Sequence, residues 1–303
     1  MNARRVSAGA GQPGGGGGVT GSTLPRRQLG RQLRDLRNRA GMTTRAAARH
    51  LEWSEAKIWR IETGQTSLRG LDVEAMCKVY AAPDELVEPL TVLARQTKAR
   101  GWWAGYSDAI PEGFEVFLGL EEAASALRSY EVDTVPGLLQ TEAYTRALLA
   151  GARPGLTAEQ TERRLRLRAV RQEQLTRSAA PLRLDVLIAE PMLWRRLGGS
   201  EVAGAQLDRL RELADLPNIR IRVVPADSGY HPGMESGRFV VLEFDPGATA
   251  AYPEPPVVYV EAFTGPLFVD KEQEVARYRA AFAGIEAVAV DARRGIEDAR
   301  TAL

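Results

Sequence analysis

Apolar positions in the first third of the chain follow a helical rhythm. Leu29, Leu33, Leu36 and Ala40 recur at steps of four, three and four, the spacing of one buried helix face. Gly41 then ends the run as a C-terminal cap does. Thr43 is placed to cap a second helix that continues the apolar face with Ala47, Ala48 and Leu51, and Ser54 to cap a third that turns Ile58 and Ile61 inward before Gly64. A short helix pair buries too little surface to be stable alone, so Leu68, Leu71, Met76, Val79 and Tyr80 predict a fourth helix that closes the core. Left outward on the third helix are Glu55, Ala56, Lys57, Trp59 and Arg60.

Pro83 opens a further helix with Leu86, Leu90, Leu93 and Ala94 on one face, and the run KARGWWAGYSDAIPEGFEVFLGLE that follows gathers aromatics into a seam between two units. Helical patterns are read at 121–130, 140–149 and 158–178. The last is strongly basic and is expected to pack Leu165, Leu167 or Val170, and Leu175 inward. From residue 182 the texture changes to short β-type runs, LRLDVLIAE, IRIRVVP, GRFVVLEF and PVVYVE, with helices at PMLWRRLG, EVAGAQLDRLRELADL and 270–290. The pattern predicts an α+β chain: an all-α amino-terminal domain, then a mixed α/β domain with a small sheet of three or four strands covered by helices. Its segments are a Gly-rich tail over 1–24, expected to be disordered, a helical domain over 25–82, a helical connector with the aromatic seam over 83–120, and the α/β domain over 121–303.

At 303 residues, 44% hydrophobic and 26% charged, the chain has room for two globular domains. A single cysteine, Cys77, excludes an internal disulfide framework, and no apolar run reaches the roughly 18–20 residues of a membrane span. With no secretory-type apolar stretch at its start, a cytoplasmic protein is expected. Arginine outnumbers lysine 36 to 4, a coding bias that weakens any argument from arginine alone. The distribution of charge says more than the net +1. Residues 26–69 hold eleven basic and four acidic side chains, net +7, whereas residues 70–303 carry −8. Such an asymmetry suits attachment to a polyanion.

The segment LGRQLRDLRNRAGMTTRAAARHL followed by SEAKIWRIETG closely resembles the helix-turn-helix of Cro and phage-repressor type regulators, also called the xenobiotic-response-element family. By that resemblance Arg37 and Glu62 form a partly buried structural ion pair, Thr44 holds a backbone phosphate, and Ser54, Glu55, Ala56, Lys57 and Arg60 face base edges. Charge and geometry add Arg45, Arg49, Gln65 and Arg69 as phosphate contacts, with Lys57 and Arg60 suited to direct readout. Two positions depart from the family pattern: Glu52, where a glycine usually makes the turn, and Ala47, where a leucine is usual. In the second half, VPGLLQTEAYTRALL, RAVRQEQL, VLIAEPMLWRRLGG, QLDRLRELADLPNIRIRVVP and GRFVVLEF resemble the C-terminal domain of actinobacterial antitoxin-like regulators. That resemblance implies a transcription factor with a very small partner protein encoded nearby.

No catalytic constellation is visible. The two histidines, His50 and His231, lie far apart in the chain, there is no Cys/His cluster for zinc, and neither a P-loop nor a strand–GxGxxG–helix is present. Asp227, Ser228 and Glu235 around His231 read as a polar turn, and Glu121–Glu122 as carboxylates favoured by a helix N-terminus. The expected function is therefore a sequence-specific DNA-binding regulator, not an enzyme, with no cofactor and no metal. It is expected to act on double-stranded DNA as a homodimer, its C-terminal domain binding a small partner protein or ligand. The alternative is an antitoxin-like protein that sequesters a small partner, with DNA binding limited to autoregulation.

Overall fold

The computed structural model describes residues 23–111, 113–245 and 254–303; the expectation of a disordered tail falls on residues that, but for 23 and 24, lie outside this set. Five helices come first: α1 (Thr23–Arg39), α2 (Thr44–His50), α3 (Glu55–Glu62), α4 (Gly70–Val79) and α5 (Asp84–Gln96). Then follow α6 (Phe114–Ala123), β1 (Ala126–Glu131), α7 (Glu142–Ala152), α8 (Ala158–Gln172), β2 (Arg183–Ala189), α9 (Ser200–Ala214) and β3 (Ile219–Val224). The chain ends with α10 (Gly233–Ser236), β4 (Phe239–Glu243), β5 (Val257–Ala262), β6 (Gly265–Val269), α11 (Glu272–Glu286), β7 (Val290–Asp291) and α12 (Ala292–Thr301).

Local chemistry sets the first helices. Thr43 Oγ1 accepts from the Ala46 amide and Ser54 Oγ from the Lys57 amide, each satisfying an N–H that has no partner within its helix. Leu29, Leu33, Leu36, Ala47, Ala48, Ile58 and Ile61 form one buried cluster with Leu68, Val73, Met76, Cys77 and Tyr80. The register of α4 differs from the expected one. Leu71 is 73% exposed, and Val73 and Cys77 take the inward positions. Leu90 and Ala94 of α5 join the same cluster, so the helical core continues past residue 82. Close approach of α1 to α3 depends on Gly30, where a Cβ would lie 2.4 Å from the Ile61 carbonyl oxygen.

The second half is built on a seven-stranded mixed sheet in the order β6-β5-β4-β1-β2-β3-β7. The central strands β1, β2 and β3 run parallel, and β4, β5, β6 and β7 pair antiparallel outside them. Two elements were misread in sequence. The stretch 121–130 read as helical divides into the end of α6 and the strand β1, and PMLWRRLG holds only a 3₁₀ turn, Glu190–Met192. The sheet is correspondingly larger than three or four strands. On one face Leu127, Leu184, Val186 and Ile221 pack with residues of α6, α9 and α12. On the other Tyr130, Leu187, Val241 and Val258 pack with Val275, Phe282 and Ile285 of α11.

The aromatic run packs on the second unit, against α6 and α8. Trp103 is buried with Leu118 and Leu167, flanked by Trp102, Tyr106 and Ile110. An ionic contact joins the two units: Arg27 of α1 reaches Glu254 at 2.9 Å and Asp270 at 3.0 Å, and Arg31 reaches Glu254 at 2.7 Å.

Candidate functional site

The turn between α2 and α3 closes tightly although it lacks the expected glycine. Glu52 takes φ 55° there, a left-handed conformation that costs a non-glycine residue roughly 1–2 kcal/mol, and its side chain is exposed. Beyond it α3 presents Glu55, Ala56, Trp59 and Arg60 to solvent, Trp59 being 54% exposed. Lys57 is half-buried, its Nζ 3.3 Å from the centroid of the Trp53 ring, a cation–π contact that holds the ammonium beside the turn. Ser54 is exposed, yet its hydroxyl is engaged as the α3 cap. Thr44 opens α2, next to the capping Thr43.

The phosphate candidates are exposed on neighbouring elements. Arg45 lies 4.0 Å from Glu55, Arg49 and Gln65 face solvent, and Arg69 is held against Asp72 at 3.1 Å. That last contact offsets part of the Arg69 charge before any phosphate arrives. Arg37 and Glu62 are buried and joined by two parallel hydrogen bonds, Nε to Oε1 at 2.6 Å and a terminal nitrogen to Oε2 at 2.8 Å. A third bond runs from Arg37 to the Met42 carbonyl at 2.7 Å. The hydrogen bond with Glu62 holds the guanidinium above its ordinary range in spite of burial. Not all of the +7 segment faces outward: Arg26 donates to the Thr97 carbonyl, and Arg27, Arg31 and Arg37 are used within the protein.

A second feature lies in the sheet domain. A cavity of about 710 Å³, within the range of small-molecule sites, opens between the β1–β4–β5 face and helices α6, α7 and α8. Register brings Ser129, Val240 and Tyr259 side by side across three strands of its floor. Phe114 and Phe117 of α6 stack above, with Tyr259 4.4 Å from Phe117 between ring centroids. The roof is the basic helix α8, where Arg164, Arg168 and Arg171 recur at steps of four and three and line the cavity.

The basic character of this segment and its inward Leu165 and Leu167 are legible in the sequence; the spacing of the three arginines is the signal that they share a face. Glu121 was misplaced. It sits near the C-terminal end of α6, buried, and takes both prongs of Arg171 at 2.8 and 2.7 Å, so its role is ion pairing rather than helix-dipole stabilisation. Gln140 is buried in the cavity wall. It donates to the Val135 carbonyl at 2.6 Å and accepts from Thr145 at 3.0 Å and from Arg168.

Glu131, on the same face of β1 as Ser129, is buried. Desolvation pushes its carboxyl from 4.5 up to about 8, against the charge of Arg238 and the nearby Ser129 hydroxyl, while Glu261 and Asp133 add to the rise. The folded chain therefore keeps a proton there that the unfolded chain releases. Its contribution to stability is complete below about pH 4.5 and is lost as pH rises to about 8. Glu131→Gln should remove this dependence, so that thermal melts of the variant gain on the wild type steadily between those limits. A constant difference across that range would show that Glu131 titrates normally.

His231 is buried, its Nδ1 accepting from the Gly233 amide at 3.2 Å and its ring edge-on to Tyr130. Among the described residues no cluster of His, Cys, Asp or Glu is arranged to hold a metal ion, and no helix is long and apolar enough to cross a membrane.

Comparison with protein families gives two matches. Residues 28–90 match a helix-turn-helix domain, and residues 114–297 match a domain of unknown function (DUF5753). The first runs from within α1 to the middle of α5, and the second spans the whole sheet and all of the cavity lining but Ala109 and Pro111. Comparisons with curated proteins and with solved structures gave no match.

Proposed function

This chain belongs to the family of the domain of unknown function DUF5753 and carries a helix-turn-helix domain ahead of it; from that premise we propose that it is a sequence-specific transcriptional regulator of the xenobiotic-response-element type. In this reading it is cytoplasmic and performs no catalytic step. It binds its operator as a homodimer, because one recognition helix buries too little to specify a site. The sheet domain supplies the dimer contact and binds a small partner protein or ligand, shifting the DNA-competent population by differential affinity.

The observation that carries the reading is the capped, solvent-facing helix α3, held by the Arg37–Glu62 pair on a unit whose surrounding surface is basic. Its N-terminal side chains are where base readout occurs in this geometry. Arg60 is exposed and unencumbered by any ion pair among the described residues, so it is assigned to a base edge, with Lys57 leaving or leaning from Trp53 to reach a second. Thr44, Arg45, Gln65 and Arg69 are assigned to phosphates, and Ser54, Glu55 and Ala56 to the groove wall.

Arg60→Ala is expected to cost roughly 1–3 kcal/mol at the specific operator and to relax preference at one base pair. Arg69→Ala should weaken specific and random DNA alike and reduce the salt slope by about one. Titrations of both variants against operator and scrambled duplex over a salt series separate the two roles. Equal losses on both duplexes for Arg60→Ala would remove α3 from direct readout. Genome-wide footprinting beside a pull-down tests the wider reading. Discrete palindromic sites away from its own locus support regulation, whereas a stoichiometric small partner with binding confined to its own promoter assigns sequestration instead.

A further inference from the structure

The cavity under α8 is a charged chamber whose charges do not cancel. Arg171 is matched by Glu121, and Arg238 by Glu261 at 2.9 Å. Arg168 is different: it donates to the Gln140 side-chain carbonyl and to Thr145 Oγ1 at 3.2 Å, both neutral. Among the described residues no carboxylate lies within ion-pair distance of it. One turn earlier, a terminal nitrogen of Arg164 is buried without a hydrogen-bond partner. On the floor, the Ser129 hydroxyl is also buried, with the Glu131 carboxyl beside it and no hydrogen bond of good geometry between them. Between these polar groups lie Phe117, Tyr259 and Leu167.

A half-buried guanidinium without a paired counter-ion is costly, and desolvation, then the like charge of Arg171, pulls Arg168 down to about 10 against the more distant carboxylates of Glu121 and Glu261. Glu131 does not supply the missing charge: it makes no ion pair with Arg168, and burial raises its carboxyl well above the ordinary carboxylate range. A bound molecule can supply it. We propose that this cavity is the binding site for a small amphipathic carboxylate, with its acid group on Arg168 and Arg164, its apolar body between Phe117, Tyr259 and Leu167, and a second polar group at Ser129. Bidentate geometry favours a planar carboxylate on a guanidinium. The polar contact at Ser129 selects hydroxy- or oxo-substituted acids over plain ones, because it offers a hydrogen bond that an alkyl chain cannot take up. The inference deepens the regulator reading by giving its sheet domain a ligand class.

The test uses the full chain without DNA. Fluorescence of 1-anilinonaphthalene-8-sulfonate reports occupancy, and decanoate, 10-hydroxydecanoate and decanamide compete for the site. Saturable one-to-one binding is expected, displaced by decanoate at least tenfold more strongly than by decanamide, and by 10-hydroxydecanoate more strongly still. Arg168→Met should lower decanoate competition at least tenfold and leave decanamide competition unchanged. Arg164→Met, on the cavity rim, should reproduce the loss in part if Arg168→Met melts early. Ser129→Ala should erase the advantage of the hydroxy acid and spare decanoate. Acid and amide competing equally, no saturable site, or an unaltered Arg168→Met would each overturn the proposal. Operator binding is then measured on the same variants with no ligand present. A protein that binds decanoate but no duplex DNA keeps the site and loses the regulator reading, and the reverse result does the opposite.

Discussion

Arg171→Met is expected to destabilise the sheet domain by about 3–5 kcal/mol, the usual consequence of stranding one member of a buried ion pair. Glu121 would keep only Gln174, whose amide stands 3.4 Å away, against the two short bonds it has lost. For a unit of this size that corresponds to a melting shift of roughly 6–20 °C. The double variant Arg171→Met with Glu121→Met should recover most of the loss, since an apolar pair of similar volume neither strands a charge nor leaves a gap. Thermal melts of the wild type, both single variants and the double variant close the cycle. A single variant melting with the wild type would mean that water or relaxation already compensates Glu121, and that the pair does not hold α8 to α6.

The second large effect is expected in the helix-turn-helix unit. Glu62→Ala leaves Arg37 buried with the Met42 carbonyl as its remaining partner, a loss of about 3 kcal/mol for a pair near the edge of the core. Because α1 and α3 also meet through Gly30, loosening that pair should let α3 shift against α1. Operator affinity should fall with stability although neither residue faces the groove. Amide hydrogen exchange separates the causes: faster exchange over α1–α3 with unchanged protection in the sheet would place the damage in the amino-terminal unit. Uniform exchange with lost operator binding would mean instead that Glu62 touches DNA.

The ionic contact between the units gives these effects a common frame. Arg27 and Arg31 leave α1 for Glu254 and Asp270, so part of the basic segment serves as an anchor. Net charge along the chain overstated the surface available to a polyanion, because sequence position does not reveal which arginines are turned inward.

The sequence alone determined what is local. Apolar spacing, Thr43 and Ser54 as caps, Gly41 and Gly64 as stops and the β-branched runs after residue 182 depend on contacts within a few residues, and they specify α1 to α3 and the strands β2 to β5. Even Glu52 did not upset the turn, since an exposed side chain tolerates a left-handed backbone at modest cost. Tertiary structure decided the rest. Whether 126–131 became a strand depended on pairing with β2 and β4, which lie far along the chain. The inward turn of Arg171 depended on a carboxylate fifty residues earlier, and the cavity exists only because Ser129, Gln140, Arg168 and Tyr259 converge from separate elements. Burial and charge pairing act through space, and a periodic pattern records only which residues face the same way.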